Sequence, residues 1–476
     1  MPSSKKPGDI TWKTCKLING FDKELNILGL LVELNIYEDL YAPGLSGVIT
    51  LVDTHNLIGR FPLLGDERFE MEVETPEAKN GSIKQTFRVY KVANRSVEMN
   101  KQTYQLFFFS EETAKSHGRV WSLPFSGNGD MLIKQIVSEK LESKKKLTTD
   151  SPSNFLKFVS PYWDPFQCIN YITTHSLAAT TTKQADFLFF ETNKEYKFVS
   201  LETLKKAKYT KTFYYDHHRG IGKTVDDPKV DVERQMQSII DVRYLTLGDW
   251  VDRVDNEAYT KMTFVHDLMF KTVEYLEYDV EKHYDDMAHI GGAYSGDTPD
   301  ESKDKYRSYI LMKKEPPSKP EDYNTSVGWS YHSSYDELKT DYSGQARHTR
   351  KSYLGLNEFL KFDIDIWGDT DVTVGDTIWV NFGKYLSIPN DKFKYDPVLT
   401  GKYLITAIVH KIAPAQHLIT MRIVKDAVGV DLEKYSAEEY SKLTSEATNK
   451  NDNAAQASTS GKTQQQKMLD EQIAGF

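Results

Sequence analysis

The residues most suggestive of chemistry lie in one short stretch, 216–224, which reads Asp-His-His-Arg-Gly-Ile-Gly-Lys-Thr. Gly222-Lys223-Thr224 matches the end of a phosphate-binding loop, but the position five residues earlier, where that loop needs a glycine, is His217. The Val-Asp-Asp-Pro that follows is not a helix start, so it would offer no backbone N–H groups to a phosphate. The stretch therefore does not predict nucleotide binding.

The Asp-His-His at 216–218 is also of the residue types that bind metal ions, and three further aspartates follow by position 231. Adjacent histidines on a strand point to opposite faces, so both could bind one ion only in an irregular loop. A solvated turn is the simpler interpretation, and we expect no metal site and no cofactor. Two other pairs lack further ligands at metal spacing: His266-Asp267 and Asp285-Asp286.

Hydrolytic and nucleophilic chemistry has equally little support. Glycoside hydrolysis needs two carboxylates in distinct environments, and among 69 acidic residues some pair occurs at any spacing. The chain has no Gly-x-Ser-x-Gly turn, and neither Cys15 nor Cys168 lies in an electropositive setting. His410 and His417 flank a turn at Pro414 and are interpreted as residues at the rim of a domain. The sequence thus predicts a protein that is not an enzyme.

Composition limits the architecture and the partners. At 476 residues the chain should form about three domains, and its 12% aromatic content favours strands and large contact surfaces. The formal charge of −9 disfavours strong binding to nucleic acid, which requires a basic excess. Two distant cysteines fit assembly in a reducing cytoplasm. We expect no signal peptide, and the apolar run 27–32 is too short to span a bilayer.

Residues 1–115 predict about five antiparallel strands, each with one buried face. In the first of them, alternation places Val32, Leu34 and Ile36 on the same face. Arg68 to Glu74 alternates between apolar and charged residues over its whole length. Further strands are expected at 48–53, 87–92 and 103–109.

The next block, from residue 116, changes to a mixture of helices and strands. Asp130 is expected to cap a helix that runs through Leu141, and Asp164-Pro165 supplies the cap and N1 proline of a second helix. A two-stranded hairpin follows at 186–201.

Alternating patterns return at 232–275 and again after 351. Between them, 276–350 is acidic and rich in Pro, Gly and Ser, which predicts long surface excursions with some strand. The last residues, 431–476, are polar and poor in apolar residues, and we expect a flexible tail.

Three segments resemble one family. The run Gly368-Asp-Thr-Asp-Val-Thr-Val-Gly-Asp-Thr-Ile-Trp-Val, followed by Gly401-Lys-Tyr-Leu-Ile-Thr-Ala-Ile-Val-His410, is similar to the C-terminal signature of baseplate hub proteins of T-even-type contractile-tail bacteriophages. The stretch Tyr41-Ala-Pro-Gly-Leu-Ser-Gly-Val-Ile-Thr-Leu-Val-Asp-Thr-His-Asn-Leu-Ile resembles the opening hairpin of that family, and 186–201 resembles its middle domain.

The resemblance implies a mainly β fold with an α+β insertion, in which two tail-tube-like antiparallel β-barrel or sandwich domains accompany a middle α+β domain. The implied boundaries are 1–115 for the first tube-like domain, 116–231 and 276–350 for the middle domain, 232–275 and 351–430 for the second tube-like domain, and 431–476 for the tail.

The resemblance also implies a function. The chain would form a homotrimeric ring in the virion's tail baseplate, assembled in the host bacterial cytoplasm. This hub adapts a sixfold tail tube to a threefold central spike and lets DNA pass without specific binding. The implied partners are further copies of the chain, the central spike or tail lysozyme protein, the tail tube protein, the baseplate wedge proteins and the tape measure protein. No membrane anchor and no catalytic residue are implied.

Open sheet edges carry unpaired N–H and C=O groups, which a cyclic oligomer can pair between neighbouring copies. We therefore expect the strands of each β block to find their missing neighbours in other copies of the chain. Strand alternation gives a set of residues expected to face a subunit interface or the lumen: Glu33, Asn35, Thr50, Asp53, Asp241, Arg243, Asp363, Asp365 and His410.

Two other functions stay open at this point. One is a tail-associated hydrolase of cell wall or capsule, which would need a cleft holding a carboxylate of raised pKa. The other is a spike or hub component of a related contractile injection or secretion system.

Overall fold

The computed structural model describes residues 6–75, 82–179, 185–215, 234–249, 251, 253, 258–267, 271–291, 308–313, 350–384 and 395–428. These residues form one large antiparallel sheet and three small sheets, with short helices concentrated in the middle of the chain. The expected fold class, mainly β with an α+β part and several domains, is confirmed.

The first block supplies seven strands that share one apolar core. They are β1 Thr11–Ile18, β2 Glu24–Asn26, β3 Leu31–Asp39, β4 Ser46–Asp53, β5 Arg68–Glu74, β6 Ile83–Glu98 and β7 Lys101–Ser110, with helix α1 at Leu57–Arg60 and a 3-10 turn at Leu28–Leu30. The predicted alternation along β5 is confirmed, since Phe69, Met71 and Val73 are buried. The rings of Phe87 and Phe108 meet in this core with centroids 4.5 Å apart.

The alternation predicted for β3 fails at one residue. A β-bulge between Leu31 and Glu33 shifts the register against β4, so Leu31, Leu34 and Ile36 are buried whereas Val32 is exposed. A bulge adds one residue to one strand, and a strict period of two cannot anticipate it.

The middle block is an α+β unit. Its elements are α2 Glu111–His117, β8 Pro124–Asn128, α3 Gly129–Gln135 with a π-helical continuation Ile136–Lys140, β9 Lys146–Thr149, β10 Phe155–Val159, α4 Pro165–His175, β11 Phe187–Glu191, β12 Glu195–Ser200 and α5 Leu201–Lys206. The hairpin expected at 186–201 is present as β11 and β12.

Two helix starts were predicted in this block, and one is right. Asp164 caps α4, because its carboxylate accepts from the Gln167 amide at 3.0 Å while Gln167 accepts from the Asp164 amide at 3.1 Å. Asp130 is not the cap of α3; Asn128 occupies that position. Asp130 lies in the first turn instead, where a negative charge suits the helix dipole, and it pairs with Lys134 at 3.1 Å.

The remaining strands are β13 Lys211–Tyr215, β14 Asp241–Thr246, β15 Thr260–Asp267, β16 Thr272–Asp279, β17 Ser308–Lys313, β18 Leu360–Trp367, β19 Thr377–Phe382, β20 Gly401–Ile412 and β21 His417–Lys425. A one-turn helix at Val280–His283, a 3-10 turn at Tyr284–Asp286 and a helix at 350–356 accompany them.

The segment 232–275 of the predicted second tube-like domain contributes strands to two different sheets. β14 does join β18 in the large sheet, but β15 and β16 form a separate sheet with β17. The reason is that β17, from within the predicted surface excursions, pairs in parallel with β15. The expected boundary at residue 275 therefore falls inside a strand.

The two β blocks are joined within one chain. β3 of the first block pairs with β20 of the second, from Ala407 opposite Asp39 to Ile412 opposite Leu34. The large sheet consequently runs β14-β18-β21-β20-β3-β4-β7-β6-β5-β1-β2, with β19 and β13 attached beside β20. The expectation that each block finds its neighbours only in other copies is wrong at this joint.

Buried charges tie the middle block to the first. Lys145 lies between Glu112, at 2.8 Å, and Glu191, and the second carboxylate oxygen of Glu191 accepts from the Leu45 amide at 3.0 Å. Burial raises the pKa of Glu191, whereas the pKa of Glu112 is lowered because Lys145 outweighs its desolvation. No helix among the described residues is long and apolar enough to cross a membrane.

Candidate assembly surface

One face of the large sheet is half-exposed over eight consecutive strands, from β14 to β6, and we call it the open face. A single lateral row shows its continuity: Asp241, Asp365, Thr420, Val409, Tyr37, Ser46, Phe109 and Arg88 lie opposite one another in register. The opposite face of the same strands is buried in two apolar cores that meet at the β3–β20 joint.

Seven of the nine residues predicted to face an interface or lumen lie on the open face: Glu33, Asn35, Thr50, Asp241, Arg243, Asp363 and Asp365. Their shared face follows from pairing, because Glu33 lies opposite Thr50 and Asp363 opposite Arg243.

The acidic residues of β18 on this face are matched by arginines on both neighbouring strands. Asp363 accepts from Arg422 Nε at 2.9 Å and Nη2 at 3.2 Å, a bidentate arrangement. Asp365 accepts from Arg243 at 3.2 Å and from the Thr420 hydroxyl at 2.6 Å. The open face is therefore polar without a strong net charge in this region.

The remaining two predicted residues are placed wrongly, since both are buried on the core side. Asp53 accepts hydrogen bonds from the amides of His55 at 2.7 Å and Leu57 at 2.6 Å, and from Gln102 at 2.9 Å. It caps the turn that enters α1, which is why a carboxylate is tolerated inside. His410 is fully buried, and so is His417, so neither is a rim residue.

The two histidines belong to a buried polar chain at the β3–β20 joint. His417 Nε2 lies 3.2 Å from His410 Nδ1, and His410 Nε2 lies 3.2 Å from Glu38 Oε1. Glu38 also accepts from the amide of Asn193, in the β11–β12 turn, at 3.1 Å and from the amide of Val374 at 3.3 Å. One carboxylate thus connects both β blocks and the middle block.

The hydrogen-bonding capacity of these groups constrains the chain. A carboxylate at Glu38 accepts, so the proton of the His410–Glu38 contact lies on His410 Nε2. Only one proton can lie between His410 Nδ1 and His417 Nε2, so one ring donates and the other accepts. His417 Nδ1 has no partner among the described residues. Burial and the neighbouring His410 hold the pKa of His417 well below its usual range.

Sequence reasoning missed Glu38, although a signal for it exists. Glu38 lies in phase with Leu34 and Ile36 along β3, and all three side chains are buried. His410 lies in the same way between Ile408 and Ile412 on β20. Charged or titratable residues in phase with an apolar series indicate a buried polar contact rather than a surface.

The eight strands of the open face end in two edges that lack a second neighbour among the described residues. At one end β14 pairs only with β18. At the other end β6 pairs with β5 only as far as Arg88, and Lys91–Glu98 pairs with β7 alone. Apolar side chains are exposed at both edges: Leu245 at 45% and Leu247 at 58% beside β14, and Val97 at 65% on β6.

Comparison with known proteins gives a match in structure alone. No protein-family profile and no curated protein sequence matches the chain. The tail protein from Neisseria meningitidis MC58 superposes with a TM-score of 0.50 and 9% identity, covering 87% of this chain and 97% of the other. This chain has the fold of a tail protein.

Two further tail-related structures are similar at lower scores. The 43 kDa tail protein of prophage MuSo2 from Shewanella oneidensis gives a TM-score of 0.49 at 11% identity, with 88% of this chain and 98% of the other covered. A type VI secretion component of E. coli gives 0.42 at 9% identity, with 87% and 76% covered.

The chemical motif of the sequence at 216–224, which includes His217 and His218, lies outside the described residues, and so does the tail after residue 428. In the part of the chain that is described, no three His, Cys, Asp or Glu residues are grouped as metal ligands. Burial raises the pKa of the Cys15 thiol to about 12 and that of Cys168 to about 11, so neither is an activated nucleophile.

Proposed function

We propose that the chain is a structural component of a contractile tail and, more specifically, the baseplate hub: a homotrimeric ring between a sixfold tail tube and a threefold central spike. The observation that carries the proposal is the open face, eight strands wide, with an edge at each end that has no second neighbour among the described residues. In this proposal each of the two β blocks acts as one tube-like unit, so three chains would present six.

The two unpaired edges supply the contact that would close the ring. An exposed strand edge is a template for pairing with another chain, and charges, prolines and bulges weaken that tendency. The β14 edge contains no proline and is regular from Asp241 to Tyr244, beyond which its register against β18 shifts at the exposed Leu245. The β6 edge presents Val97 together with Lys91 and Arg95, and its register against β7 shifts between Ala93 and Ser96. We propose that β14 of one copy pairs with β6 of the next.

In such a ring the open face would line the lumen. Arg422 and Arg243 on this face are paired with Asp363 and Asp365, so neither arginine is free to displace counterions from DNA. A wall of this kind lets DNA and a tape measure protein pass without retaining them. The spike, the tube protein and the wedge proteins are the further partners of this proposal, and the virion baseplate is its location.

The oligomeric mass tests the ring. Native mass spectrometry of the purified chain should give three times the chain mass of 54.7 kDa. Replacing Leu245 and Leu247 with lysine should shift the mass to that of one chain, because like charges and desolvated ammonium groups oppose edge pairing.

Met131→Lys serves as the matched control, since Met131 is equally exposed but lies on α3, away from both edges. The control should keep the wild-type mass. A wild-type chain that remains a monomer at micromolar concentration, or a trimer indifferent to the Leu245 and Leu247 changes, contradicts the proposed ring.

The proposal also implies that the chain is not an enzyme. Among the described residues, the chain of groups that resembles acid–base machinery, Glu38, His410 and His417, is fully buried and bonded to backbone amides. Zymography on peptidoglycan and on capsular polysaccharide should show no clearing by this chain alone. Clearing that survives the removal of any co-purifying protein would favour the tail-hydrolase alternative.

A further inference from the structure

A groove of about 610 Å3 opens between the first tube-like block and the middle block. One wall carries Tyr90 of β6 and Phe109 of β7, whose rings stack with centroids 4.7 Å apart. The facing wall carries Phe166 of α4 and Phe189 of β11, with centroids 6.5 Å apart. Arg350, at the start of the helix 350–356, also lines the groove. The lining thus combines two aromatic pairs and one cationic group with polar side chains of α2 and α4.

Arg350 has more hydrogen-bond donors than partners. Its Nη1 donates to the carbonyl oxygens of Ala185 at 3.0 Å and Phe187 at 2.8 Å. Within the described part of the chain, Nε and Nη2 have no acceptor and no carboxylate lies within ion-pair distance. Burial lowers the pKa of Arg350 to about 10, which still leaves the guanidinium charged at neutral pH.

The acids near the groove do not supply the missing charge. Asp186 acts on Arg350 only through space, and burial raises the pKa of Asp186 to about 7, so it is partly protonated at neutral pH. Its Oδ2 is occupied by the Glu202 amide at 2.8 Å. Asp164, the other acid of the lining, is engaged as the cap of α4.

A guanidinium whose Nε and Nη2 have no acceptor in the described part of the chain, and whose nearest acid, Asp186, is only partly ionised, is a favourable site for an anion. Tyrosine, phenylalanine and arginine are also the residue types that dominate protein interfaces and their energetically important positions. The groove has the size of an ordinary ligand site. The size and the aromatic walls of the groove suit an apolar ligand, and the guanidinium suits a carboxylate on that ligand.

We propose that this groove binds an extended segment of a partner protein in which an acidic residue lies next to aromatic or aliphatic residues. The carboxylate accepts from Nε and Nη2 of Arg350, the edge of the guanidinium suited to bidentate pairing. The flanking side chains pack between the Tyr90–Phe109 pair and the Phe166–Phe189 pair. The groove lies within one chain, so the inference goes beyond the proposed ring and does not depend on it.

Fluorescence anisotropy tests the proposal with a blocked, fluorescein-labelled five-residue peptide in which aspartate stands between two phenylalanines. The wild-type chain should bind it, and the counterpart peptide with asparagine should bind about 10-fold more weakly or worse, because it cannot form the charged pair. Arg350→Gln should abolish this preference for aspartate, and Arg350→Lys should retain part of it.

Two further variants keep the test sharp. Ser46→Trp places a bulky group on an exposed position of the groove lining and should block both peptides while leaving Arg350 intact. Arg119→Gln removes a guanidinium that pairs with Glu142 outside the groove and should leave binding unchanged. The proposal is overturned if neither peptide binds or if both peptides bind equally well. It is also overturned if phenylpropionate, a small molecule with one ring and one carboxylate, binds as tightly as the peptide, because the groove is then a small-molecule site.

Discussion

Acid should weaken the joint between the two β blocks through His417. In the folded chain His417 is fully buried 3.2 Å from His410, and burial and His410 hold the pKa of His417 well below its ordinary value. In the unfolded chain it titrates near its ordinary pKa of about 6.5. The unfolded state therefore binds more protons between the two pKa values, and stability falls as pH is lowered from about 6.5.

The size of the effect follows from the linkage of protons to unfolding. One group that is protonated only in the unfolded state changes the free energy of unfolding by about 1.4 kcal/mol per pH unit. While the folded His417 stays neutral, each pH unit below the unfolded pKa should therefore remove up to about 1.4 kcal/mol of stability. Because other groups titrate as well, the contribution of His417 is the difference between two chains that differ only there.

His417→Gln provides that comparison, because a glutamine amide can still donate to His410 but cannot titrate. Urea unfolding at four pH values should give a free energy that falls less steeply with acid in the variant, by about one proton. His55→Gln is the control, since His55 is exposed, and it should keep the wild-type slope. Parallel pH dependences for the wild type and His417→Gln would refute the lowered pKa of His417 in the folded chain.

Three other substitutions probe the buried polar contacts. Glu38→Ala leaves the His410 N–H and two backbone amides without an acceptor, and we expect urea unfolding to show a loss of about 3–5 kcal/mol. Lys145→Met leaves Glu191 buried without its cation and should lose about 3–5 kcal/mol at pH 7, with part of the loss recovered in acid as the carboxylate protonates. Asp164→Ala removes the cap of α4 and should lower stability by about 1 kcal/mol, whereas Asp164→Asn should be nearly neutral.

Each of these three has an outcome that contradicts it. A Glu38→Ala chain as stable as the wild type would mean that the amides at the joint find other acceptors. A loss in Lys145→Met that does not shrink in acid would separate the effect from the charge of Glu191. Equal losses in Asp164→Ala and Asp164→Asn would rule out the capping contact as the cause.

Local pattern was enough to predict most of the fold. Alternation identified β5 and β18, the Asp-Pro pair identified the start of α4, and the spacing of turn residues identified the β11–β12 hairpin. All of these depend on residues close together in the chain. The same locality explains the failures, since the bulge at Val32 and the separate sheet of β15, β16 and β17 depend on which strand lies alongside.

The candidate surface was predictable to the same degree. Alternation placed Asp363 and Asp365 on the polar side of β18, but it could not show that Arg422 and Arg243 lie beside them. His410 was assigned to a rim because histidine before a turn is commonly exposed. Its buried partner, Glu38, lies 372 residues earlier in the chain, and no periodicity extends over that distance.

The separation of β3 and β20 along the chain also determines when the large sheet can be completed during synthesis. β3 is synthesised early, yet its partner strand β20 emerges only after some 370 further residues, which at bacterial elongation rates takes roughly 20–70 seconds. Throughout that interval the edge of β3 that will pair with β20 is unpaired, and it can pair wrongly with a strand of another chain. The yield of folded protein should therefore fall when ribosomes are closely spaced on one message or when the last quarter of the gene is translated slowly. It should rise when chaperones that bind the early strands are abundant.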